Sequence, residues 1–152
     1  MRKALSRRQY APPLHGVRAG WQGSKTKLRP RDAPRFAQAE PPLFREVARA
    51  VCGAEILPRK ELFEAWKVAA RIDDSFAKHE RVADLAAGHG LLGWLLLLLA
   101  WSDGRPRTAV CVDVRMPASA DVLSDAITSH FGDQVAARML SVFILLTLNT
   151  TT

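Results

Sequence analysis

Residues 81–93 have the sequence RVADLAAGHGLLG, in which a short apolar run leads into a loop with two glycines and then into a second apolar run. Residues 82–86 are apolar apart from Asp84, which is the length and composition of a buried strand. Gly88 and Gly90 then permit a sharp turn, because a residue without a Cβ readily adopts positive φ angles. The pattern therefore predicts a strand, a turn and a helix in immediate succession.

The segments that follow continue this alternation. Residues 91–101 are all apolar and predict a helix that is buried on more than one side, yet it is too short to span a membrane. Residues 108–114 predict a second strand, 119–132 a further helix and 140–148 a third strand. The resulting βαβαβ order predicts an α/β fold with a partial doubly wound parallel sheet.

The chain upstream of the sheet divides into two parts. Residues 41–52 and 58–73 place apolar side chains at helical spacing and predict two amphipathic helices, the first stopping at Gly53. Residues 1–40 show no periodicity and contain many Pro and Gly residues, which predicts a disordered basic arm. Residues 41–152 are then expected to form the N-terminal part of one folded domain.

The charge distribution supports this division. The 152-residue chain has a net charge of +7, yet residues 1–31 hold nine Lys or Arg and no acid, leaving 13 basic and 15 acidic residues in 32–152. Such an arm is expected to be dispensable to the fold, and three interpretations of it stay open: a solvated tail, an organelle transit peptide, and a segment that makes weak nucleic-acid contacts.

The cysteines and the N-terminal sequence indicate the cellular compartment of the protein. Cys52 and Cys111 lie in apolar surroundings without a Cys/His ligand pattern, which predicts buried free thiols and no metal site. No apolar signal region precedes residue 42, and no membrane span is expected. The prediction is an intracellular, cytoplasmic protein, with an organelle or the nucleus as alternatives because of the basic arm.

The residues at the glycine loop favour one kind of cofactor. The predicted helix presents free N–H groups at its N-terminus, and Asp113, at the end of the second strand, can accept two hydrogen bonds from a ribose diol. Asp84 lies beneath the loop, where a carboxylate would repel a pyrophosphate and attract a cationic sulfonium.

With its run of hydrophobic residues, an acid and a small-x-Gly-x-Gly loop, the segment 82–90 resembles the cofactor-binding entry of class I S-adenosylmethionine-dependent methyltransferases. The resemblance covers about residues 80–118 and implies that Asp84 and the loop hold the methionyl part of S-adenosylmethionine, while Asp113 holds the ribose hydroxyls. The implied loop residues are Ala86, Gly88, His89 and Gly90. Ala86 departs from the pattern, since many members have Gly there.

The sequence alone leaves two other functions open. Residues 88–93 fit GxGxxG, and Asp113 follows Gly93 by 20 residues, as in an NAD(P)-binding Rossmann domain. A non-catalytic nucleotide-binding or interaction module would also contain such a turn.

The expected function is methyl transfer to an acceptor that the sequence does not specify, whether protein, RNA or small molecule. The resembled family has a seven-stranded sheet, whereas this chain ends four residues after its third predicted strand. We therefore expect a truncated product, weakly active or inactive, and no residue is predicted to be catalytic.

Overall fold

The computed structural model describes residues 20–143, in which helices pack on a three-stranded parallel sheet. Strands β1 (Arg81–Leu85), β2 (Thr108–Asp113) and β3 (Met139–Phe143) lie side by side in that order. Each strand is separated from the next by helix, because parallel neighbours need a crossover connection. The α/β class and the predicted βαβαβ order are confirmed.

The helices form layers on the sheet. Helix α3 (Leu91–Ser102) connects β1 to β2 and packs against all three strands, while α4 (Ala118–Phe131) and the short α5 (Asp133–Ala136) connect β2 to β3. Helix α2 (Arg59–Ser75) covers another side of α3, and α1 (Pro42–Ala54) packs against α3 and α4. The all-apolar α3 is thereby buried on more than one side, as its sequence predicts.

One face of the sheet stays open in the described part of the chain. Leu85 on β1 is 72% exposed and Leu140 on β3 is 60% exposed. A doubly wound sheet carries helices on both faces, whereas residues 20–143 place them on one. The doubly wound arrangement therefore remains a prediction.

The prediction of a disordered arm up to residue 40 is wrong for residues 20–40. This segment contains a 3-10 helix at Pro30–Phe36, and the side chains of Leu28 and Phe36 are fully buried in the core. The Leu28 N–H donates to the Leu57 carbonyl at 2.8 Å. Hydrophobic burial holds the segment although it lacks the periodicity of a long helix.

Smaller differences concern the element ends. Helix α1 runs through the predicted stop at Gly53 and ends at Ala54, because Glu55 adopts the left-handed φ of 55° that terminates it. The short helix α5 was not predicted. Residues 1–19 of the predicted arm and 144–148 of the predicted third strand lie outside the described residues.

A buried ion cluster ties the end of α2 to the beginning of β2. The Arg107 side chain is almost fully buried and pairs with Asp73, which also accepts from Arg105 at 2.7 Å. Arg107 donates further to the carbonyls of Phe76 at 3.1 Å and Leu96 at 3.2 Å, so that the buried guanidinium has several partners. This cluster fixes α2 relative to the sheet and to α3.

Candidate cofactor site

The loop between β1 and α3 is a tight turn built on left-handed residues. Ala86, Gly88 and Gly90 have φ angles of 60°, 56° and 82°. The Gly90 N–H donates to the Ala87 carbonyl at 2.8 Å, and the Ala87 N–H donates to the Val112 carbonyl of β2 at 3.1 Å. The loop therefore lies against the carboxyl end of β2 as well as that of β1, at the edge where open α/β sheets bind ligands.

Glycine also brings α3 close to the sheet. A Cβ added at Gly93 would lie 2.7 Å from the Cys111 Sγ, and one at Gly90 would lie 3.1 Å from it. Only glycine fits at Gly93 without displacing its neighbour, so the first turn of α3 rests directly on β2. Burial raises the pKa of the Cys111 thiol to about 11, so this sulfur is a neutral packing group.

Asp113 lies at the end of β2 beside the loop. Its carboxylate accepts from the Gly88 N–H at 2.8 Å and from the Arg115 N–H at 3.3 Å. The hydrogen bond from Gly88, followed by that from Arg115, lowers the pKa of Asp113. The side chain is charged at neutral pH and joins the loop to the second strand.

Asp84 is the fourth of the five residues of β1 and packs against the first turn of α3. Its Oδ2 accepts from the Gly93 N–H in the first turn of α3 at 3.3 Å. Burial raises the pKa of Asp84, the Gly93 hydrogen bond and the nearby His89 oppose that rise, and the negative charge of Asp113 adds to it. The fold thus keeps a half-buried acid beneath the glycine loop.

His89 is held by contacts on both ring nitrogens. Its Nδ1 accepts from the Leu91 N–H at 3.2 Å, and its Nε2 lies 2.5 Å from the Glu61 Oε1 of α2. Glu61 was not among the predicted site residues. Its one sequence signal is an acid in the first turn of a predicted helix, which does not indicate a contact 28 residues away.

A cavity of about 130 Å³ opens beside the loop, between the first turns of α3 and α4. Its apolar wall includes Trp94 and Met116, and its polar lining includes Asp121 and Ser124. No Lys or Arg side chain lines it in the described residues. Asp121 is the one acid among these lining residues, and neither Asp84 nor Asp113 lines the cavity.

The structure thus brings the predicted site residues together at one end of the sheet. Asp84, His89 and Asp113 surround the two glycines of the loop, and Ala86 begins it. Within residues 20–143 there is no group of three or more His, Cys, Asp or Glu side chains that could hold a metal ion. No helix of that part combines the length and apolar character needed to cross a membrane.

Comparison with known proteins adds no relative: no family model, curated protein or solved structure matches the chain.

Proposed function

We propose that this chain binds S-adenosylmethionine at the glycine loop and is a class I methyltransferase-type protein. The observation that carries the proposal is the placement of two carboxylates, Asp84 and Asp113, next to the loop, each hydrogen-bonded to a backbone N–H of the loop or of the first turn of α3. S-adenosylmethionine carries a sulfonium and an ammonium, and carboxylates nearby stabilise both cations.

The chemistry of the two acids indicates which part of the cofactor each would contact. Asp113 lies at the tip of β2 with a lowered pKa, so its charged oxygens suit the two hydroxyls of a ribose. Asp84 and the loop from Ala86 to Gly90 would hold the methionyl end, because the glycines allow the backbone to approach a ligand closely.

Dinucleotide binding is the second candidate, and the hydrogen bonds count against it. A pyrophosphate needs free N–H groups at the start of the helix. In this structure His89 takes the Leu91 N–H and Asp84 takes the Gly93 N–H, while Asp113 takes that of Gly88. The acids that take two of these donors would also repel the phosphates.

S-adenosylmethionine, held by Asp84, the loop and Asp113, would supply a methyl group that an acceptor atom takes by in-line displacement of the sulfur. The protein contributes chiefly by holding donor and acceptor in line.

The test is calorimetric titration with S-adenosylhomocysteine of the wild-type chain and of two variants. Asp113→Ala removes the proposed ribose contact and should weaken binding roughly tenfold or more, the scale of charge-assisted hydrogen bonds. Asp125→Ala removes an exposed carboxylate on α4 and should bind as the wild type does. Equal affinity of all three proteins would remove Asp113 from the site.

A further inference from the structure

We propose that Glu61 is a positioning residue for the cofactor, acting through His89 on the shape of the glycine loop. This inference rests on the proposed function and adds to it a residue from α2, a helix outside the strand–loop–helix unit. Glu61 and His89 are 28 positions apart, and their side chains meet at 2.5 Å.

The hydrogen bonds define one neutral form of the His89 ring. The Leu91 N–H is a donor, so the Nδ1 that receives it must carry a lone pair. The ring proton then lies on Nε2, where it is donated to the Glu61 carboxylate. A neutral ring with its proton on Nδ1 would direct two donors at each other and leave Glu61 without this bond. Glu61 therefore selects the form of His89 that caps the first turn of α3.

This cap affects the loop at the place where the methionyl end of the cofactor would lie. His89 stands between Gly88 and Gly90, two residues with left-handed backbone that would otherwise give the loop several conformations. With its ring attached to Leu91 on one side and Glu61 on the other, the loop is held in one shape before the ligand arrives. Pre-organisation of this kind increases affinity by reducing the ordering that binding requires.

The helix that carries Glu61 is anchored at its start, although the Glu61 side chain is itself 43% exposed. Arg59, two residues earlier, pairs with the buried Asp32 at 3.4 Å, and its guanidinium lies 4.5 Å from the centroid of the Trp21 ring. Trp66, one turn and a half further along α2, is fully buried in the core. The segment 20–40 therefore supports the helix that presents Glu61 to the loop.

The experiment compares the wild-type chain with Glu61→Ala, Glu61→Gln and, as a control, Glu64→Ala. Glu64 lies on the same helix and pairs with Lys60 at 3.5 Å, so its loss changes the net charge equally without touching His89. Two measurements are made on each protein: the imidazole ¹⁵N shifts of His89, which report the protonated nitrogen, and the affinity for S-adenosylhomocysteine. Thermal melting shows that each variant is folded.

Glu61→Ala should mix the two neutral forms of His89 and weaken S-adenosylhomocysteine binding roughly 3- to 10-fold, the scale of one hydrogen bond. Glu61→Gln should keep both wild-type properties, because its amide oxygen accepts the same proton. Glu64→Ala should behave as the wild type. A purely structural role would alter melting without this rescue pattern.

Three results would overturn the inference while leaving the proposed function standing. They are an unchanged His89 spectrum in Glu61→Ala, a changed spectrum with unchanged affinity, and failure of Glu61→Gln to restore binding. Absence of S-adenosylhomocysteine binding by the wild-type chain would instead overturn the proposed function, and this inference with it.

Discussion

Ala86 and Glu55 are the two residues other than glycine that have a positive φ within residues 20–143. The φ of 60° at Ala86 lies in the left-handed region, and its side chain is exposed, so the Cβ makes no compensating core contact. This conformation explains in physical terms why glycine suits the position. Alanine in place of glycine at this position therefore lowers the stability of the fold, but it does not prevent the turn from forming.

Replacement of this residue gives the first prediction. Ala86→Gly should stabilise the chain by about 0.5 to 1 kcal/mol, because the left-handed penalty of about 1 to 2 kcal/mol exceeds the extra entropy that glycine loses on folding. The free energy of unfolding in urea measures this. Ala87→Gly, at a neighbouring residue without a positive φ, should destabilise instead. A loss of stability in Ala86→Gly would contradict the observed turn.

Asp84 gives a second prediction, in which stability and binding change in opposite directions. Burial raises the pKa of Asp84, so the folded chain holds the proton more tightly than the unfolded chain does. Stability therefore falls as the pH rises from the ordinary value of 3.8 to the raised folded value, and the loss persists at neutral pH. Asp84→Asn should be more stable than the wild type at pH 7, and this advantage should disappear at low pH.

The same variant should bind S-adenosylmethionine more weakly, because it lacks the charge that faces the cation. Urea denaturation across pH and calorimetry at pH 7 measure the two effects. Asp125→Asn, an exposed control, should change stability by less than about 0.5 kcal/mol. A destabilised Asp84→Asn at neutral pH would show that the carboxylate is a structural group and not one retained for a ligand.

At the scale of elements, the segment 20–40 changes the expectation for the N-terminus. Leu28 is fully buried and Trp21 packs on Phe36 with ring centroids 5.7 Å apart. Deleting residues 1–31 removes both Leu28 and Trp21, so it should destabilise the domain rather than leave it unchanged. Leu28→Ala alone should cost about 2 to 5 kcal/mol, as for other buried leucines. Thermal and urea unfolding of both variants measure the loss of stability. If both variants have the unfolding midpoint of the wild type, the segment does not pack on the core.

The elements that the sequence predicts correctly are those with local signals. The strands and α3 follow from runs of apolar residues, and α1, α2 and α4 from apolar residues at helical spacing. Leu28 and Phe36 were missed because a short 3-10 segment has no periodicity, and its burial depends on contacts with residues far along the chain. Glu61 was missed for the same reason, since helix packing and not local sequence brings it to His89.

Within the candidate site, the sequence indicates the positions of the acids and glycines but not their partners. The apolar run that begins at Thr108 predicts a strand with Asp113 near its end. Because the carboxyl ends of parallel strands meet at one edge of the sheet, Asp113 is expected beside the loop that follows β1. Its hydrogen bond to Gly88 depends on how close the loop lies to β2. The close packing of Gly93 on Cys111 sets that distance. Such distances follow from tertiary packing and are not encoded in a motif.

At the scale of the whole molecule, the described residues 20–143 leave one face and the β1 edge of the sheet uncovered. In residues 20–143 only one side of β1 is paired, and Leu85 and Leu140 expose apolar surface on the uncovered face. Unpaired strand edges with apolar side chains favour association with another chain. We expect self-association of the wild-type chain at micromolar concentration, measured by size-exclusion chromatography with light scattering.

Leu85→Lys should shift this equilibrium toward monomer, because a charge on the edge strand opposes pairing. Val122→Lys, which replaces a 43% exposed side chain on α4, should leave the association unchanged. A strictly monomeric wild-type chain would show that the edge is protected.

The identity of the cofactor is tested most directly by titrating the wild-type chain, in parallel calorimetric experiments, with S-adenosylhomocysteine and with NAD. The acids Asp84 and Asp113 and the occupied N–H groups of the loop predict saturable binding of S-adenosylhomocysteine and none of NAD. Tighter binding of NAD, or no binding of S-adenosylhomocysteine by folded protein, would contradict the proposed function.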